Sequence, residues 1–303
     1  MKDKVLIIYT PRPGTLYLHR RLSHLSREFQ RNGVETVRVS VAQFIHEKLT
    51  DKKKLELQEY LSLVVAGGDG SVNAVVEKLL QHYPETFPPL AVVPWGTSND
   101  VARQLNSSKV TAAKLLANLN RGNVFNLDVG EVNGRCFINV AAGGMFTDVA
   151  HRTSEAAKRV LGRGAYYLYG VSKIFSYRPF PLKVQLDEGS LAFEEEVFLF
   201  LVLNGSKVGG LFWLAPEASF QDGQLHLIVF TKRLPWFQGG KILLRALRGK
   251  SLNYPGTAYY TAPHLQLEFP CQQAAVIDGE KGPPPPWDIK ILPSRVPFIK
   301  INS

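Results

Sequence analysis

The sequence predicts an α/β N-terminal domain with a doubly wound parallel sheet, followed by a β-rich, sandwich-like C-terminal domain. Three observations carry this. Up to residue 123, short apolar runs alternate with stretches of helical period, the pattern of βαβ units on a parallel sheet. Beyond it, short β-like runs recur at regular spacing, as in a sandwich. With 303 residues, 45% of them hydrophobic and 20% charged, the chain is long enough for two ordinary cores. The expected division is 1–123, 124–286 and a terminal segment, 287–303.

Taken in order, Lys4 to Tyr9 reads as a first buried strand that ends in the turn Thr10-Pro11-Arg12-Pro13-Gly14. Residues 15–31 read as a helix with Leu18, Leu22, Leu25 and Phe29 on one face. Val34 to Val41 reads as a strand, and Asp51-Lys52-Lys53-Lys54 as a solvated helix start or loop. Two βα units follow, and a helix from Thr111 to Arg121 closes the first half. Val124–Glu131 and Arg135–Ala142 pair as a hairpin through Asn133-Gly134, a strong two-residue turn signal. A helical stretch is expected over 154–177. Strands are then expected at Leu182–Leu186, Glu195–Leu203, Leu225–Phe230, Leu265–Phe269, Ala274–Ile277, Trp287–Leu292 and Val296–Ile299.

Each of the two βα units opens with a motif that carries chemistry. In the first, the apolar run Leu63–Ala66 ends in Gly67-Gly68-Asp69-Gly70-Ser71, and Val72, Val75, Val76, Leu79 and Leu80 follow at helical spacing. Glycines let a phosphate approach the backbone, and the helix N-terminus turns its N–H groups towards it. A carboxylate beside a phosphate needs a cation between them, so Asp69 argues for Mg²⁺ carried in with a nucleotide. An ordinary strand-to-helix turn capped by Ser71 explains the same stretch equally well. In the second unit, Leu90–Pro94 leads into Trp95-Gly96-Thr97-Ser98-Asn99-Asp100, which holds more capping-type side chains than one helix start uses. Adjacent strands ending in two such turns form the crevice where open α/β sheets bind ligands.

Composition narrows the classes of function. No apolar run approaches the ~18 residues of a membrane-spanning helix, and the N-terminal run is too short for a signal peptide. The two cysteines, Cys136 and Cys271, lie in apolar β-like contexts and read as reduced thiols of a cytoplasmic protein. The net charge of +10 suits anionic lipid or a polyphosphate substrate, or is simply a solvated surface. Zinc-ligand spacing and nucleic-acid signatures are both absent from the sequence, so nucleic acid ranks last as a partner.

The paired motifs, Gly67 to Asn73 and Pro94 to Asp100, resemble those of the diacylglycerol kinase catalytic-domain superfamily, above all its soluble bacterial lipid kinases. Further pieces match in order: Asp128 to Gly134, Asn139 to Gly144, Leu214-Ala215-Pro216 with Gln221-Asp222-Gly223, and Asp278-Gly279-Glu280. The resemblance covers nearly the whole chain. It implies an NAD kinase- and lipid kinase-like fold whose chain end returns to the first domain. It also implies an ATP- and Mg²⁺-dependent kinase acting on a lipid hydroxyl, most plausibly that of diacylglycerol.

Carried over by position, the resemblance assigns Thr10, Ser40, Gly67, Gly68, Asp69, Gly70, Ser71, Val72, Asn73, Gly96, Thr97, Asn99 and Asp100 to the nucleotide. Asp69 and Asp128 fall around the catalytic Mg²⁺, and Glu280 where lipid kinases carry their general base. Glu280 can act there once partial burial raises its pKa; read from sequence alone, Asp278-Gly279 is a plain hairpin turn. Ser219 to Gln224 resembles an element that binds a second, structural Mg²⁺. Asp222 would be its carboxylate, with the backbone carbonyls of Ser219 and Gln224 and water completing the shell and Glu217 nearby. An Asp-Gly turn is the alternative there. Thr10, Pro13 and Trp95 depart from the family pattern, and Pro13 brings no backbone donor.

Lys232 to Arg248 reads as a basic amphipathic helix. Trp236, Leu243, Leu244 and Leu247 share one face; Lys241, Arg245 and Arg248 share another. Such a helix suits an anionic membrane surface, reached peripherally and transiently, and packing on the β-domain explains it too. A homodimer is compatible with the sequence. Two other functions stay open: an NAD kinase-like phosphotransferase, which shares the Gly-Gly-Asp-Gly turn, and a catalytically silent nucleotide-binding membrane regulator.

Overall fold

The computed structural model describes residues 4–11, 16–46, 56–83, 86–96, 98–105, 110–144, 178–187, 189–209, 212–235, 238–250, 252 and 254–301. The expectations for residues 51–54, 154–177, Pro13, Thr97, Trp236 and Phe237 fall outside them. The chain forms two units, one of Met1–Leu127 with Ser294–Ser303, the other of Asp128–Pro293.

In the first unit, β1 (Lys4–Tyr9) is followed by α1 (Leu16–Arg31), β2 (Glu35–Ser40), α2 (Val41–His46) and a 3-10 turn at Leu57–Glu59. Then come β3 (Leu63–Gly67), α3 (Asp69–His82), β4 (Leu90–Pro94), α4 (Asp100–Gln104) and α5 (Ala112–Asn120). The strands lie in the order β2-β1-β3-β4, all parallel, with Leu6 opposite Leu63 and Leu63 opposite Leu90. Val5 to Ile8 and Leu63 to Ala66 have no exposed surface, which is why these strands are apolar throughout instead of alternating. The expected face of α1 packs on them through Leu22, Leu25 and Phe29. A side chain of that size contributes about 1.5–3 kcal/mol when fully buried. Thr111 caps α5 by accepting the Lys114 N–H at 3.3 Å.

The second unit is antiparallel. It contains β5 (Val124–Val132), which starts in the first unit, then β6 (Arg135–Phe137), β7 (Val140–Gly144), β8 (Phe180–Leu186) and β9 (Ser190–Leu203). These are followed by β10 (Lys207–Val208), β11 (Phe212–Trp213), β12 (Leu225–Thr231), α6 (Gly239–Leu247) and β13 (Thr257–Ala262). The last are β14 (His264–Glu268), β15 (Ala275–Ile277), β16 (Glu280–Lys281) and β17 (Trp287–Ile299). β9 is central, flanked by β7, β8 and β12. Its unbroken apolar run has a simple cause. Phe200 and Val202 enter one core with Phe269 and Trp287, whereas Leu199, Leu201 and Leu203 enter another with Ile228, Leu234, Ile242 and Ala246. Both faces of the strand are buried.

The differences from expectation have identifiable causes. Arg135–Ala142 is not one strand: the carboxylate of Asp278 accepts the N–H groups of Ile138, Asn139 and Val140 and breaks it into β6 and β7. The expected boundary at residue 287 moves to Pro293/Ser294, because Trp287 to Lys290 pair with β14. The tail is a single strand of 13 residues, with Phe298 beside Leu90 of β4 and the Lys300 N–H on Asn123 O. Several short elements were not expected, among them the 3-10 turn at Leu57–Glu59, β10, β11, α2 and β13. α2 is only 6 residues long, and β13 (Thr257–Ala262) carries mixed polar and aromatic residues with little alternation. Among the described residues no helix is long and apolar enough to cross a membrane.

Candidate functional site

Parallel pairing puts the C-terminal ends of β1, β3 and β4 at one edge of the first unit. Chain order reverses between β1 and β3, the switch point at which open α/β sheets take ligands. There Thr10 Oγ1 and Ser71 Oγ lie 2.5 Å apart. The neighbouring turns touch through bare backbone. A Cβ on Gly96 would stand 2.3 Å from the Gly68 Cα, and one on Gly67 would stand 2.6 Å from Ser71 Cβ. Gly67, Gly68 and Gly96 are therefore required by packing. Gly70 differs: it is exposed, and nothing lies within 4 Å of where its Cβ would stand.

Side chains fasten the same edge. Asn99, in the left-handed region at φ 51°, accepts the Gly96 N–H and donates to Gly96 O, each at 2.9 Å. Asp69 Oδ1 accepts the Val101 N–H at 3.1 Å, so the first residue of α3 caps α4 within the same unit. Its Oδ2 has no hydrogen bond among the described residues. No side chain caps α3 itself, and its N-cap is Gly68. Gly68 to Gly70 thus open a helix of 14 residues whose first turn has no side-chain cap, the Ser71 N–H bonding Gly68 O at 3.0 Å.

The remaining assigned positions divide. Ser40 lies at the end of β2, where its hydroxyl accepts the Gln43 N–H and donates to Gln43 Oε1 in a capping box for α2. Val72 turns its side chain into the core and its N–H to Gly68 O. Asn73 and Asp100 are buried.

The other carboxylates belong to the second unit, where Asp128 joins the turn 219–224. Asp128, 2% exposed, donates its N–H to Phe220 O at 2.7 Å and accepts the Gly223 N–H on Oδ2 at 2.8 Å. Asp222 accepts the N–H groups of Ser219 and Gln224 at 2.8 and 2.9 Å and His226 Nε2 at 3.0 Å. Burial alone would raise the Asp222 pKa; the hydrogen bonds from His226, Ser219 and Gln224 outweigh it and hold the carboxyl below its ordinary range. Behind it, His226 Nδ1 is 2.6 Å from Tyr259 Oη. Burial, then the charges of Glu217 and Asp222, push the Tyr259 hydroxyl up to about 12. Tyr259 therefore stays protonated, which suits donation to Nδ1 and leaves Nε2–H for Asp222. Among the described residues no three His, Cys, Asp or Glu side chains converge as metal ligands. A cation at this turn would have to be held by one carboxylate, backbone carbonyls and water.

Glu280 opens β16 directly after the two-residue turn Asp278-Gly279, whose φ values of 46° and 89° give the twist a hairpin needs. Arg135 donates to Lys281 O at 2.7 Å and sits 3.5 Å from Glu280 Oε2. The Glu280 side chain is 60% exposed, so the partial burial expected for it is not supplied by the chain's own packing.

His226, Tyr259 and Arg135 escaped the sequence reading, which foresaw Asp278 only as part of a turn and not as the acceptor of three N–H groups. His226 had one available signal, a lone imidazole in the otherwise apolar strand Leu225–Phe230.

The chain as a whole is similar to known proteins. A family profile described as diacylglycerol kinase catalytic domain matches residues 4–132, and one described as YegS C-terminal NAD kinase beta sandwich-like domain matches 139–300. A diacylglycerol kinase of Bacillus subtilis is 32% identical over 276 residues, which span 91% of this chain and 89% of that protein. The chain belongs to the diacylglycerol kinase family. A second member, from Staphylococcus carnosus, is 30% identical over 93% of this chain and 90% of its own length. The fold agrees with the crystal structure of a diacylglycerol kinase from Bacillus anthracis at a TM-score of 0.72, 24% identity, and coverage of 98% and 97% of the two chains. Yeast NADH kinase in complex with NADH shares the fold more distantly, at a TM-score of 0.53, 11% identity, and coverage of 98% of this chain and 81% of that one.

Proposed function

We propose that this kinase transfers the γ-phosphate of ATP to the hydroxyl of a lipid, diacylglycerol, giving phosphatidate. The observation that carries the reading is the uncapped N-terminus of α3 behind the Gly68–Gly96 contact. It presents N–H groups and a positive dipole end on a floor without side chains, as a triphosphate requires. Thr10 and Ser71 flank that floor and the Asn99 side chain borders it at Gly96, while Asn73 and Thr97 are assigned to the same nucleotide by the family resemblance. Mg²⁺, when bound, neutralises charge on the transferring phosphoryl group. The Oδ2 of Asp69, uncommitted among the described residues, is the group that the first unit offers to it, and Asp128 keeps the role beside that ion that the family resemblance assigns to it. A second, structural Mg²⁺ belongs at Ser219, Asp222 and Gln224, with water filling its shell.

Glu280 takes the proton of the acceptor hydroxyl, and the apolar acceptor supplies the desolvation that a 60% exposed carboxylate lacks. The acceptor lies in a bilayer, so the enzyme works from the cytoplasm, peripherally, at an anionic inner membrane face. Nucleic acid is no part of this reading, and a homodimer is compatible with it.

A panel of lipid hydroxyls incubated with γ-labelled ATP and Mg²⁺ tests the proposal. Label is expected in organic-extractable phosphatidate, and Glu280→Ala is expected to lower kcat by about 10²–10⁴-fold with ATP binding retained. Label in NAD and none in lipid, or a Glu280→Ala enzyme of full activity, would overturn it.

A further inference from the structure

Five large hydrophobic side chains are exposed among the described residues, and three of them stand together: Trp213 at 37%, Leu244 at 45% and Leu247 at 45%. Leu244 and Leu247 project from α6 on the side opposite Ile242 and Ala246, which are buried in the core beneath it. Trp213 joins them at the end of the helix, where its Cγ would lie 3.5 Å from a Cβ on Gly249. Lys241 and Arg248 flank the two leucines on the exposed face, and Lys250 follows. Lys207 Nζ caps the Trp213 ring at 3.7 Å from its centroid.

These cations differ from their neighbours. Lys232 and Arg233, just before α6, are neutralised by Glu196 and Glu195. Lys207, Lys241, Arg248 and Lys250 have no carboxylate partner among the described residues. An apolar centre with an unneutralised basic rim matches a surface that is anionic outside and apolar just below. A second copy of this chain fits worse, because a two-fold contact would set Lys241 and Arg248 against their own equivalents.

We infer that the exposed face of α6, with Trp213, is where the enzyme rests on an anionic bilayer, the leucines and tryptophan entering the interface and the cations meeting lipid phosphates. This deepens the lipid-kinase reading by giving the protein a membrane-facing side, and rests on it only for the choice of a bilayer as occupant.

The full chain is sedimented without ATP with vesicles of phosphatidylcholine, and with vesicles of phosphatidylcholine mixed with phosphatidylglycerol. Binding is expected to the anionic vesicles alone and to weaken steeply with added salt. The double variant Lys241→Glu/Arg248→Glu should bind about tenfold or more weakly. Leu244→Ser/Leu247→Ser should bind roughly tenfold more weakly and keep the salt dependence. Both should phosphorylate detergent-dispersed diacylglycerol at the wild-type rate, which shows that they are folded. Equal binding to neutral vesicles, or either variant bound as well as wild type, would overturn the inference, as would a dimer broken by the variants with no vesicle binding. A wild-type enzyme silent on dispersed diacylglycerol would instead refute the proposed reaction and leave the vesicle result to stand on its own.

Discussion

The first unit shapes its ligand edge by leaving side chains out, and the second shapes its turns by putting carboxylates in. At the ends of β3 and β4 the backbones of Gly68 and Gly96 touch, with nothing between them. At the corresponding turns of the second unit, Asp278 gathers three N–H groups, Asp222 gathers two and an imidazole, and Asp128 takes one from Gly223. The first device needs contiguous glycines and fails sterically. The second needs partners far apart in sequence and fails by stranding donors. The two units should therefore respond differently to the smallest substitutions.

The largest effect is expected at Asp278. Replacing it by alanine strands the N–H groups of Ile138, Asn139 and Val140, each worth ~1–3 kcal/mol if left unsatisfied, so a loss of roughly 3–5 kcal/mol is expected. Urea unfolding should show it as a lower midpoint at unchanged slope. A shift below ~1 kcal/mol would mean that the carboxylate is not what breaks β6 from β7.

Glycine should separate fold from function within the first unit. Gly96→Ala forces its Cβ to 2.3 Å from Gly68 Cα and is expected to cost about 1–3 kcal/mol. Gly70→Ala, at the second residue of α3 and in open space, should raise stability by up to ~1 kcal/mol through helix propensity. On the proposed reading the same alanine should weaken ATP binding, because its methyl would narrow the open space at the start of α3. Thermal unfolding with and without ATP reads both. Equal behaviour of the two variants would remove the distinction between a packing glycine and a binding glycine.

The smallest effect is titration of the Asp222 turn. A carboxyl held below its ordinary pKa contributes stability that is fully present above the unfolded value of about 3.9. That contribution is lost as pH falls through the lower folded value. Wild type should thus melt at progressively lower temperature below about pH 4, and Asp222→Asn should show a shallower decline over the same range. Parallel curves would remove Asp222 from the groups that hold this turn.

The same contrast governs how much of the molecule was legible. βαβ alternation and unbroken apolar strands located the first sheet, and the contiguous glycine motifs marked its ligand edge. In the second unit the period of the strands and the turn at Asn133-Gly134 could be read. The interruption at Ile138 could not, because its cause lies 140 residues away at Asp278. His226 and Tyr259 meet only through the pairing of β12 with β13. α2 was missed because 6 residues hold too little periodicity, although Ser40 and Gln43 together are a capping box. The residues that resemblance assigned to one nucleotide site differ in what they do within the fold. Ser40 and Val72 serve helix and core, while Gly68 and Asn99 hold the turns themselves together.

The bare meeting of Gly68 and Gly96 constrains how this lineage can drift. Neither bend can acquire a methyl group unless the other retreats, so the two positions can change only as a pair. Single substitutions that leave this contact intact are open only to the side chains around it, Thr10 and Ser71 among them.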